Sequence, residues 1–241
     1  MKKDIQKIWL SEWCPYNCEF CYNGRKPFVE LPIPEIKSNY VQILDPAFLS
    51  KKDIIGVIME LGDKRVNNKV VKYELVQGIN YRDLNQNIAN TLRQNRFVRI
   101  RFAWDREYNK FYMYQIYDTI KMLVKAGYKP NELMCYILYN WKIPFIDCLK
   151  KLDLLKVWNV KIGDCCYDGQ TSPNFKPIYW NLNELRLFRK MCRRHNQIVT
   201  FKIDPEIKKV GGFTLPSATS NEGMELMNKV PSQSSAINPS D

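Results

Sequence analysis

Cys14, Cys18 and Cys21 stand at the spacing C-x3-C-x2-C, three of the chain's eight cysteines within "WCPYNCEFCYNG", residues 13–24. Pro15 and Asn17 favour a turn, so this loop can wrap its thiols around a compact object. A structural zinc takes four protein ligands. No fourth stands nearby: the next cysteine is Cys135, and the single histidine is His195. An iron–sulfur cube also has four corners, one thiolate to each when fully ligated. Three thiols leave one iron open, and an open iron can bind and activate a small molecule.

The elements that must position this loop alternate between strand-like and helix-like patterns. Ile5 to Leu10 is expected as the first strand and "YVQIL", Tyr40 to Leu44, as the second. Ser50 to Asp53 reads as a capping box for a helix carrying Ile54, Ile55, Val57, Ile58 and Leu61, with Gly62 as its stop. "VVKYELVQG", "FVRIRFAWD", "LMCYILY" and "NVKIG" supply four more strands. Between them, apolar residues at helical spacing mark helices around Leu84–Leu92, Ile116–Val124 and Phe145–Leu155. A helix from Leu182 to Arg194 and a short strand, "IVTF", close the series.

About six βα units predict an α/β fold with a parallel sheet covered by helices. A closed eight-unit barrel takes about 250 residues, so a partial (β/α)6 parallel barrel over residues 1–215 is expected. A doubly wound open sheet is the competing architecture, although neither a G-x-G-x-x-G nor a Walker loop is present. Residues 216–241 are rich in Ser, Pro and Asn and read as a disordered tail. In parallel α/β folds the chemistry lies at the C-terminal ends of strands, and the cysteine loop follows the first strand.

The chain's 241 residues carry a net charge of +12, and residues 216–241 contribute −2 of it, leaving +14 on the rest. That balance favours polyanions or acidic substrates. No run of about 18 apolar residues exists, and the N-terminus lacks the features of a signal peptide. A cytoplasmic protein with reduced cysteines and no membrane association is therefore expected.

"CPYNCEFC", with Phe20 just before the third cysteine, resembles the cluster loop of radical S-adenosylmethionine enzymes. "QGINYR", "RFAWD" and "YILYN" at later strand ends are similar to a branch of that family with bacterial and phage members. The resemblance spans roughly residues 5–203 and implies a radical SAM partial barrel. It implies a [4Fe-4S] cluster on Cys14, Cys18 and Cys21, with S-adenosylmethionine chelating the open iron. One electron from a reductant such as a flavodoxin or ferredoxin would cleave the sulfonium, and the 5′-deoxyadenosyl radical would abstract a hydrogen from substrate.

Two departures accompany the resemblance. Where the family places a Gly-Gly-Glu-like motif, this chain has "ILDPAF", so Asp45 is either a substitute acceptor or a helix cap. Only 18 residues separate Cys21 from Tyr40, with Pro27, Pro32 and Pro34 among them, so the usual first helix must be short or absent.

Strand alternation puts Arg99, Arg101, Ala103 and Asp105 on one face and Val98, Ile100 and Phe102 on the other. Arg101 is expected to meet a carboxylate of cofactor or substrate, or to join an internal Arg–Asp network; Asp105 is expected at ribose hydroxyls. Gln77 and Arg82 flank the turn at Gly78, with Arg82 a candidate for a carboxylate or phosphate. Tyr22 is placed as a shield beside Cys21, and Tyr136, Leu138 and Asn140 as lining or core. Cys165, Cys166 and Cys192 are a candidate second thiol site, Cys135 and Cys148 core residues, and His195 a surface histidine. Arg186, Arg189, Lys190, Arg193 and Arg194 form a cationic stripe suited to nucleic acid or another polyanion, or a merely solvated face. The opposing reading is a non-enzymatic zinc-binding module that binds nucleic acid. A third is a relative that keeps the cluster without turnover.

Overall fold

The computed structural model describes residues 4–21, 26–168 and 177–201. Tyr22 and the tail at 216–241 lie outside the described residues. The fold is mixed α/β. Its strands are β1 (Gln6–Ile8), β2 (Ser11–Glu12), β3 (Val29–Glu30), β4 (Tyr40–Ile43), β5 (Arg65–Val66), β6 (Lys69–Val70), β7 (Lys72–Leu75), β8 (Phe97–Val98), β9 (Arg101–Trp104), β10 (Met134–Tyr139) and β11 (Lys161–Cys166). The α-helices are α1 (Ile54–Asp63), α2 (Gln86–Gln94), α3 (Lys110–Lys125), α4 (Phe145–Val157) and α5 (Leu182–Phe201).

Two parallel sheets, β1-β4-β7-β8 and β9-β10-β11, take their strands in chain order. A parallel bridge, Ile79 to Phe102, links them; the Ile79 N–H donates to the Arg101 carbonyl at 2.7 Å. Gly78 makes this approach possible. Its φ is +86°, and a Cβ there would lie 3.1 Å from the Arg101 oxygen.

The expected strand "FVRIRFAWD" is broken in two, because Arg99 takes φ 54° between β8 and β9. The break leaves Arg99 mostly exposed, with its guanidinium 3.9 Å from Glu74, while Arg101, Ala103 and Asp105 keep a common, partly buried face. No helix joins β1 to β4 among the described residues; β2 pairs antiparallel with β3 there instead. Asp53, not Ser50, caps α1, accepting from the Gly56 N–H at 2.9 Å. Gly62 is buried within that helix rather than ending it.

The C-terminal segment corrects two further expectations. "IVTF" is helical and belongs to α5. Its residues have strand propensity, but Leu185, Phe188, Cys192, His195 and Val199 continue one buried stripe at helical spacing. Asn196, on the same side, donates through Nδ2 to the Ile162 carbonyl at 2.6 Å and accepts the Ile162 N–H at 2.8 Å. The side chain thereby stands in for a neighbouring strand on the edge of β11.

His195 is not a surface residue: it is 4% exposed, and its Nε2 lies 2.7 Å from the Val160 carbonyl. Burial lowers its pKa from 6.5, the Val160 hydrogen bond opposes this, and Lys156 adds to the lowering. The unfolded chain therefore binds a proton that the folded chain refuses, and stability falls as pH drops through about 6.5. We expect His195→Gln, which cannot titrate, to lose less stability than wild type between pH 7 and 5.5 in urea unfolding; equal losses would exclude this origin.

Candidate functional site

The cysteine loop begins where β1 ends, and a buried carboxylate fixes its base. Asp45, just past β4, accepts the Leu10 N–H at 2.6 Å, the Ser11 hydroxyl at 2.9 Å and the Lys51 ammonium at 2.7 Å. Both charged side chains are nearly inaccessible, at 0% and 2%. Asp45 is thus neither a cofactor acceptor nor a helix cap. Its lone pairs are consumed in joining β1, β4 and the segment before α1.

Beyond this base the loop is held at three further points. The Tyr16 hydroxyl donates to Asp83, whose other oxygen accepts from Ser50 at 2.8 Å. Burial and the Asp83 contact push the Tyr16 phenol up to about 12, so it remains a donor. Glu19 pairs with Lys142, and Phe20 packs edge-on against Trp141 at 6.3 Å. Within the loop the Cys21 N–H closes a turn onto the Cys18 carbonyl at 3.0 Å. Trp13, immediately upstream, takes φ 62°, an uncommon conformation for a bulky residue.

Cys14, Cys18 and Cys21 are all free, half-buried and open to one cavity of about 1310 Å³. The opposite walls come from strand ends: Gln77 to Arg82 after β7, Ala103 and Asp105 at β9, Leu138 on β10, and Cys165 to Asp168 at β11. Along the edge of β1 the cavity continues past Gln6, Lys7, Leu31 and Pro34. Burial raises the Cys14 and Cys18 thiols, and the neighbouring thiols raise them further. Among the described residues no three Cys, His, Asp or Glu groups converge on the position of a single ion.

Of the other expected site residues, Phe20, Gln77, Arg82 and Asp105 line this cavity. Burial raises the Asp105 carboxyl, against the pull of Arg106, Arg82 and Lys151. The Arg82 guanidinium is raised, chiefly by its contact with Tyr81. Arg101 does not line the cavity. It pairs with the buried Glu74 and donates to the Val76 carbonyl at 3.2 Å. Tyr40 and Gln42 also donate to Glu74, at 2.8 and 3.2 Å. This is an internal network, with Glu74 where Asp was expected. Over it lies Tyr136, whose hydroxyl donates to Val76 at 3.1 Å and whose ring would meet any Cβ on Gly163 at 2.2 Å.

Cys165 and Cys166 line the same cavity, but Cys192 is buried on α5 and faces the surroundings of Asp164 and Cys148. The three do not form a second thiol site. Cys135 and Cys148 are buried, as expected. Tyr16, Asp83 and Ser50 were not legible as site-forming residues. Only the position of Tyr16 between two candidate ligands offered a signal.

Removing one member of a buried ion pair strands the other, at a cost of about 3–5 kcal/mol. Lys51→Met is expected to destabilise the fold by that amount in chemical denaturation and to speed alkylation of Cys14, Cys18 and Cys21. An unfolding free energy within 1 kcal/mol of wild type would refute the anchoring role. No protein-family model matches the chain, and no curated protein matches it in sequence.

Proposed function

We propose that this chain is a radical S-adenosylmethionine enzyme on a partial parallel barrel. The observation that carries the reading is the opening of all three thiols of the C-x3-C-x2-C loop into one cavity walled by the C-terminal ends of successive parallel strands. Cys14, Cys18 and Cys21 would hold a [4Fe-4S] cluster, with one corner left for S-adenosylmethionine. When bound, that pair supplies a carbon-centred radical that removes a hydrogen atom from substrate, after one electron from a donor of the flavodoxin or ferredoxin class.

The chain's own side chains bind, orient and exclude water. Arg82 offers a cation to a carboxylate or phosphate at the cavity wall, and Gln77 an amide. Asp105, its carboxyl raised by burial, can accept from sugar hydroxyls. Tyr136 and the Glu74–Arg101 network close the floor, and Phe20 backed by Trp141 closes one wall. The cavity exceeds the roughly 300–1,000 Å³ of an ordinary small-molecule pocket, which leaves room for substrate beside the cofactors.

Anaerobic reconstitution tests the assignment. Wild type should bind about four iron and four sulfide per chain and release 5′-deoxyadenosine from S-adenosylmethionine under dithionite. Cys14→Ala, Cys18→Ala and Cys21→Ala should each lose both properties. Full iron content in any one of them, or a colourless protein carrying zinc, would overturn it.

A further inference from the structure

One wall of the cavity continues outward as a platform of aromatic rings. Phe20 and Tyr167 line the cavity itself. Trp141 touches both, at 6.3 and 4.4 Å, and Tyr179 touches Trp141 at 5.3 Å. Tyr179 is 49% exposed, and Lys142 sits 5.3 Å over the Trp141 ring.

One buried amide assembles this platform. Asn140, at φ 58°, accepts the N–H groups of Ile178, Tyr179 and Trp180 at 3.0, 3.2 and 3.3 Å. Its Nδ2 donates to the Tyr167 carbonyl at 2.8 Å. A left-handed non-glycine backbone persists only where its surroundings over-determine it; here it draws three separate chain segments to one place.

Helix α5 starts directly after the platform, and its exposed face carries Arg186, Lys190, Arg193 and Arg194. These four make no ion pair among the described residues; Arg189 is turned inward, bonding Asp164 at 3.2 Å. The stripe begins about 6 Å along the axis from Leu182 and runs about 12 Å further. The cavity differs in charge. Its walls hold Lys7 and Arg82 against Glu12, Asp105 and Asp168, so it favours a neutral or weakly charged group over phosphate.

We infer that the substrate is a nucleoside within single-stranded nucleic acid. Its base and sugar enter the cavity, a neighbouring base stacks on the ring of Tyr179, and the phosphates lie along the α5 stripe. Single-strand binders combine these same parts, a cationic track and rings that take a base on either face. The role of substrate rests on the cavity being the reaction site; the binding itself does not.

The test uses the full chain as purified without oxygen and a fluorescent 12-nucleotide single strand, followed by anisotropy. Binding at 50 mM salt should weaken as salt rises, with a slope approaching about −3 for four phosphate contacts. Replacing Arg186, Lys190, Arg193 and Arg194 together by Ala should flatten that slope. Tyr179→Ala should weaken binding about tenfold with the slope kept, and Tyr179→Trp should restore it. Absence of binding, an unchanged Tyr179→Ala, or equally tight binding of polyglutamate would each overturn the inference. Binding by a protein that assembles no cluster would sink the reaction alone; a cluster without binding would sink the nucleic-acid substrate alone.

Discussion

The Asp45 carboxylate is the constraint on which the rest of the site depends. Its side chain is fully buried, so its oxygens must be met by hydrogen-bond donors. Leu10, Ser11 and Lys51 meet them, and two of these residues begin the cysteine loop. The register of β1 against β4 and the starting point of the loop are thereby set by one group. Everything beyond, from Tyr16 on Asp83 to Phe20 on Trp141, fixes the direction of a loop whose origin is already decided.

The interior of the strands is organised in polar and aromatic layers. Glu74, Arg101, Tyr40 and Gln42 satisfy one another on one level. Tyr136 lies across the next, in a space that Gly163 and Gly78 leave free. Above it the strand ends open. A buried polar layer is costly unless fully paired; closed in this way, it leaves Ala103 and Asp105, farther along the face that carries Arg101, to line the cavity.

Much of this was legible in the sequence, for identifiable reasons. The cysteine loop follows the first strand, and alternation within "RFAWD" correctly set Arg101, Ala103 and Asp105 on one face. What escaped were partners that local patterns cannot show. Nothing in "ILDPAF" announces that Lys51 folds back into the interior to meet Asp45. For Arg101 the internal network was one of two expectations, and only the identity of its acid, Glu74 rather than an aspartate, was hidden. His195 sits in a run of Arg and Asn that reads as surface, yet it continues the buried stripe of α5 and finds the Val160 carbonyl. The turn at Arg99 and the helical "IVTF" record tertiary packing prevailing over local propensity.

The short antiparallel pair β2–β3 occupies the span where a covering helix would otherwise lie, and the cavity runs out along the flank of β1 past Lys7 and Pro34. A chamber open along the flank of a strand can be entered from the side. A long polymer could be engaged at an internal position, without a free end to thread and without being cut beforehand.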